Sequence, residues 1–173
     1  HYPLKGLHMV AEALPLVLRH YPDARVHVAG PDILSVPAWR RNGYAHYLGK
    51  LMERLGVRDR FRWLGRLSAE QMCSQFRKAH IFVCPSMIEN ESNSLGEAQM
   101  VGTPCIAAYA GGMMDSVSHG ETGFLYRFGA PDLLAMQVCR LFGDMDLCRH
   151  VSSRGRRAAL ARHDRSANAE QLR

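Results

Sequence analysis

Apolar positions along this chain switch period again and again. Leu7, Val10, Ala11, Leu14, Val17 and Leu18 recur at helical spacing, which predicts a helix over residues 6–20. The stretch Val26-His27-Val28-Ala29 sits inside a predicted strand at 25–30, and a second helix follows over 39–55, ended by Gly56. Residues 61–64 read as a strand ending at Gly65. Ser68 then opens a helix, with Gln71 three residues on completing a capping box. The run Ile81-Phe82-Val83-Cys84 is apolar on both alternating faces and predicts a buried strand at 81–84. A helix at 94–101, a strand at 104–108, a short helix at 115–119 and a strand at 123–126 come next, before helices at 131–143 and 146–162. Strands alternating with helices predict an α/β fold built on a doubly wound, Rossmann-like parallel sheet. No repeat, low-complexity tract or internal linker interrupts the alternation.

The polar segment after the 81–84 strand carries the candidate chemistry. It reads Pro85-Ser86-Met87-Ile88-Glu89-Asn90-Glu91-Ser92-Asn93-Ser94-Leu95-Gly96-Glu97-Ala98. Loops at the carboxyl ends of strands are where open α/β sheets bind ligands. The helix opening near Asn93 adds free N–H groups and positive dipole character, which suit a phosphate. Glu89 before that cradle and Glu97 just inside the helix are placed to accept hydrogen bonds from the hydroxyls of a phosphate-linked sugar or nucleoside. On spacing alone, Ser94-Leu95-Gly96-Glu97 also reads as a capping box, in which Glu97 only satisfies a backbone N–H.

The segment resembles the donor-binding signature of retaining glycosyltransferases of family 4, which have the two-domain GT-B architecture. Pro85-Ser86, Glu89, Glu97-Ala98 and Gly102-Thr103-Pro104 follow the family's order. Gly111-Gly112 with Asp115, and Gly120-Glu121-Thr122-Gly123-Phe124-Leu125, continue it in register. Lys5-Gly6 and Val26-His27-Val28-Ala29-Gly30 extend the resemblance upstream, so it runs to about Gly129. It implies that the chain, residues 1–173, is the nucleotide-sugar (donor) binding domain, the C-terminal half of a GT-B glycosyltransferase. The expected piece is incomplete at its N-terminal edge, and its acceptor domain lies outside it.

The resemblance also implies roles. Glu97 would accept bonds from the ribose hydroxyls, and Asn93 and Ser94 would supply N–H groups to the diphosphate. Glu89 would contact the donor sugar near the reacting carbon, with Glu91 a rival carboxylate where the family usually has an aromatic. Ser92 stands where the family often has a glycine. Lys5 would clamp the diphosphate and stabilise it as the glycosidic bond breaks; the arginine that accompanies it in the family would precede His1. Arg66 and Leu67, in Gly65-Arg66-Leu67, match the loop that contacts the nucleobase. Gly111 and Gly112 would let the chain turn where a side chain would block the donor sugar. No cofactor and no metal is expected, since Lys5 and helix N–H groups can neutralise the diphosphate. The implied activity is transfer of a hexose to an acceptor saccharide or lipid held by the other domain. The rival readings are a nucleotide-sugar epimerase of the same architecture and a binding module silent on its own.

Composition changes this picture little. With 173 residues, 47% of them hydrophobic and 22% charged, the chain suits one globular domain with a real core. No apolar run approaches the roughly 20 residues of a membrane span. Five cysteines without a Cys-x-x-Cys, three of them in apolar surroundings, point to reduced thiols and a cytoplasmic compartment. The nine histidines show no metal-ligand spacing. The formal net charge of +6 is concentrated late, at Arg149, Arg154, Arg156, Arg157, Arg162 and Arg165. Such a basic helix suits an anionic membrane surface at the inner face, a solvated face, or a docking face for another domain. The last two are favoured because the nearby apolar residues form no strong second face. Nucleic acid is not an expected partner, because the arginines lack interleaved aromatics.

Overall fold

A computed structural model describes residues 3–164, apart from the side chain of Ala38. Arg165, part of the late basic run, lies outside the described residues. Among the described residues five strands and seven α-helices alternate: α1 (Leu7–Leu18), β1 (Val26–Val28), α2 (Gly43–Arg54), β2 (Phe61–Trp63), α3 (Ala69–Lys78), β3 (Phe82–Cys84), α4 (Asn93–Val101), β4 (Cys105–Ala108), α5 (Met113–Ser116), β5 (Phe124–Tyr126), α6 (Pro131–Gly143) and α7 (Met145–Arg162). All strand pairs are parallel, as the alternating pattern predicts. They form two hydrogen-bonded ladders, β1-β2 and β3-β4-β5.

The register shows which layer each helix occupies. Cys84 pairs with Ala107, whereas Phe124 pairs with Ile106, so Cys84 and Phe124 point to opposite faces. Arg140 of α6 lies over the Phe124 ring, 5.0 Å from its centroid. On the other face the Cys84 thiol donates to Ser92 Oγ at 3.4 Å, beside α4. Helices α1, α2 and α6 pack on one side, and α3, α4 and α7 on the other. β4 is buried throughout because it has a strand on each side and a helix layer above and below. Ile106 and Phe124 reach 0% exposure, and each such side chain contributes about 1.5–3 kcal/mol by leaving water. β3 is only half-buried, less than its apolar run predicts, since it pairs on one side alone.

Two predicted helices are corrected. The helix expected over 39–55 is broken. Ala38–Arg40 form a 3-10 turn, and Asn42, extended at φ −71° and ψ 166°, caps α2 by accepting from Ala45 N at 2.8 Å. Arg41 donates to the carbonyls of Leu34 and Val36, which holds the preceding loop away from helical geometry. The short helix expected at 115–119 is instead α5, two residues earlier; Val117 is extended and buried to 1%, so the core claims the residue that helical spacing would have kept.

At the top of the α1–α2 layer, His8 meets Tyr44, Tyr47 and Phe128 edge-on. Burial lowers the His8 pKa, with Glu12 acting weakly in the opposite sense. The unfolded chain, where His8 titrates near its ordinary value of 6.5, therefore binds the proton more readily than the folded one. The stability contributed by neutral His8 is complete above that value and is lost as pH falls through it. Melting temperature measured from pH 7.5 to pH 5 should decline, and His8→Gln should flatten that slope; an unchanged slope would discard the burial argument.

Candidate functional site

Three separate segments meet beyond the carboxyl ends of the strands, and glycines make the meeting possible. Gly6 has φ +69°, and a Cβ there would stand 1.8 Å from the Pro85 carbonyl oxygen. Gly111 has φ +52°, and its Cβ would stand 2.0 Å from the Glu89 carbonyl oxygen. Gly112 has ordinary helical φ but no room: its Cβ would lie 1.7 Å from the Asn90 carbonyl oxygen. Gly112 N instead donates to Glu89 O at 3.2 Å, and Met87 N donates to Leu4 O at 2.7 Å. The glycine pair thus admits the 89–90 backbone, whose close approach leaves no room for a Cβ at either position.

That framework sets the charged groups. Lys5 Nζ donates to Glu89 Oε2 at 2.7 Å, with side chains 60% and 18% exposed. With its Lys5 side open to water, the pair contributes on the order of 1 kcal/mol at most. Glu91 is exposed in the same loop and Asp115 on α5. Arg66 is exposed and Leu67 half-buried in the turn after β2, where Gly65, at φ +72°, accepts from Gly30 N at 2.7 Å.

Helix α4 begins at Asn93, and its cap is Ser92, whose Oγ accepts from Leu95 N. The capping box read at Ser94–Glu97 does not form, because the helix starts one residue before Ser94 and leaves Glu97 a turn inside it. The N–H groups of Asn93 and Ser94 make no hydrogen bond among the described residues. Asn93, Ser94 and Glu97 are all exposed, whereas Leu95 and Ala98 are fully buried. Spacings of three and four put the exposed trio on one face. The result is a helix start with two open donors and one carboxylate behind them.

Other expected features go elsewhere. The chain carries an Asp-x-Asp triplet, Asp144-Met145-Asp146, whose carboxylates serve contacts within α7. Asp144 accepts from Leu147 N at 2.8 Å as the α7 cap, and Asp146 pairs with Arg149. No group of three or more His, Cys, Asp or Glu among the described residues is placed to hold a metal. Arg154 pairs with Glu121 at 2.6 Å, and Arg156 donates to Met100 O at 3.0 Å, so part of the basic run is spent on internal contacts. Among the described residues no helix is long and apolar enough to cross a membrane. The sequence reading missed Ser92 as a cap and Gln99 as a buried polar anchor. Gln99 shares the buried phase of Leu95 and Ala98, which was the available signal.

Residues 2–158 match the family of glycosyl transferases group 1. The chain belongs to that family. Its fold is that of a GT-B group 1 glycosyltransferase domain. It is 35% identical over 161 residues to a D-inositol 3-phosphate glycosyltransferase of Streptomyces avermitilis, covering 93% of this chain and 33% of that protein. It spans about a third of the length of the relatives it matches. The structure superposes on HepE of Anabaena, solved with UDP-glucose, with TM-score 0.84 at 25% identity, over 99% of this chain and 46% of HepE. It also shares its fold with the C-terminal domain of LpcC, a group 1 family glycosyl transferase of Francisella tularensis. That match has TM-score 0.76 at 21% identity, over 95% of this chain and 82% of the other.

Three stability outcomes separate the local roles. Ser92→Ala should lose about 1 kcal/mol by removing the cap, while Glu97→Ala should stay within about 0.5 kcal/mol, as exposed positions do. Gly112→Ala should lose about 2 kcal/mol or more, because a Cβ must displace backbone. Chemical denaturation of the three variants reads all of this, and a Glu97→Ala loss matching that of Ser92→Ala would restore the capping box.

Proposed function

We propose that this chain is the donor-binding half of a retaining, metal-independent glycosyltransferase that moves a hexose from a nucleoside diphosphate to an acceptor saccharide or lipid. The acceptor is held by a second domain outside this chain. One observation carries the reading: the Lys5–Glu89 pair and the open N-terminal face of α4 converge at the carboxyl ends of the parallel strands. HepE, which the fold matches closely, was solved with UDP-glucose, so a uridine diphosphate sugar is the first donor to test.

In this reading Glu97 accepts from the ribose hydroxyls, and the N–H groups of Asn93 and Ser94 hold a phosphate at the helix start. Arg66 and Leu67 border the nucleobase, and Gly111 and Gly112 let the chain turn where a side chain would block the sugar. Lys5 exchanges its exposed bond to Glu89 for the diphosphate. Negative charge grows there as the sugar departs, so Lys5 acts more strongly on the transition state than on bound donor. Glu89, released, faces the sugar near its reacting carbon and is not assigned as a base. The acceptor attacks the face from which the diphosphate leaves, and the diphosphate takes the acceptor's proton. The reaction takes place on the cytoplasmic side, and the exposed arginines of α7 are available to an anionic membrane surface.

A ligand panel of UDP-, GDP- and ADP-sugars against the complete gene product tests the class, and no binding by any of them would end the proposal. Glu97→Ala should weaken nucleoside diphosphate binding by about 1–3 kcal/mol, read by calorimetry. Lys5→Ala should lower turnover about 100- to 1,000-fold with a smaller change in donor affinity. Glu89→Gln should abolish most turnover yet leave nucleoside diphosphate affinity unchanged or tighter, since it frees Lys5. Near-normal turnover in Lys5→Ala would remove the clamp.

A further inference from the structure

Helix α7 runs antiparallel along α4 and grips it at both ends. At the carboxyl end of α4, Ser152 Oγ donates to Gly102 O, and Arg156 Nε donates to Met100 O at 3.0 Å. These bonds satisfy carbonyls that a helix end leaves open, and a cation there also suits the dipole. Near the amino end, the His163 ring lies over Gly96, where a Cβ would come within 2.8 Å of Nε2. Between them is a polar junction inside the core. Gln99 is 1% exposed. Its Nε2 donates to Ser116 O at 3.0 Å and to Thr122 O at 3.5 Å, while its Oε1 accepts from Arg162 Nη2 at 2.9 Å. Arg162 Nη1 also donates to Ser116 O at 3.4 Å.

Ser116 is the last residue of α5, the helix that opens at the Gly111–Gly112 turn. Gln99 lies two residues beyond Glu97 on α4. One guanidinium and one amide therefore tie together three elements: the helix bearing Asn93, Ser94 and Glu97, the end of the segment that rests on the Glu89 backbone, and the final turn of α7. A planar guanidinium with several fixed donors can bridge two acceptors at once, which a lysine cannot do with the same geometry. A buried amide left without its partners would be costly, so the junction holds one spacing rather than a range.

We propose that Arg162 and Gln99 are positioning residues of the donor site, setting the distance between the Glu97 helix and the Gly111–Gly112 turn without touching the donor. The inference rests on the donor reading of that site. It also makes the end of α7, far along the chain from the Glu89–Glu97 segment, a determinant of donor binding.

Kinetics of the complete gene product with a responsive nucleotide sugar test it. Arg162→Met should raise donor KM about 10- to 100-fold, the scale of a small misplacement of binding groups, with kcat altered much less. Arg162→Lys should recover part of that loss, because it can still donate to Gln99 Oε1. Val151→Ala supplies the control: it opens a hole in the same helix at a residue 1% exposed. It should lower the melting temperature while leaving donor KM near wild type. If Arg162→Met does not accumulate, Gln99→Glu is decisive, since it keeps the bond to Arg162 and removes both amide donors; it too should raise KM. An unchanged KM in Arg162→Met or Gln99→Glu, or an equal rise in Val151→Ala, would overturn the positioning role. If the wild type binds no nucleotide sugar, the donor reading falls first and the positioning role with it.

Discussion

Backbone resting on backbone, at the carboxyl ends of the strands, is the constraint on which the rest of this domain depends. The turn before α1 lies on Pro85, and the turn before α5 lies on Glu89 and Asn90. Neither contact leaves room for a Cβ. A side chain at Gly6, Gly111 or Gly112 would push the loops apart and separate Lys5 from Glu89 and the α5 segment from both. Two of the three positions also need positive φ, which glycine adopts without strain. The loop after β3 is therefore walled in from two sides, although it lies at the surface.

The two kinds of polar contact around this loop differ in strength for a physical reason. Lys5 and Glu89 meet at the surface, where water reaches the Lys5 side of the pair and keeps the bond modest. Gln99 and its partners meet inside the core, where an unmade hydrogen bond costs about 1–3 kcal/mol. The surface pair is loosely held and the buried junction is fixed.

Helix α4 links the two regions. Its first turn offers open N–H groups and Glu97 to solvent. Its buried side carries Leu95, Ala98 and Gln99 toward β4 and α7, and its last carbonyls are satisfied by Ser152 and Arg156. α7 adds nothing to the candidate site directly, yet it holds the helix that does. Much of its positive charge is spent on this task, through Arg156 and Arg162, and on the pair between Arg154 and Glu121.

Periodicity alone located nearly every strand and helix, because apolar spacing records which side chains must leave water. The order of short motifs led to the expectation of one site for Glu89, Glu97, Lys5 and the glycines, through their resemblance to the glycosyltransferase signature. Local pattern failed where a side-chain cap, a side-chain bond to a nearby carbonyl or the demands of the core outweighed apolar spacing. Asn42 and Arg41 cut the helix predicted across them, and the core drew Val117 out of α5. Ser92 took the cap that Ser94 was expected to provide. Three things belong to tertiary structure alone: the Lys5–Glu89 bond, the reason Gly112 must be glycine, and the junction of Gln99 with Arg162. Each joins segments between 22 and 84 positions apart, and no residue's own preference encodes a distance that only the closed fold creates.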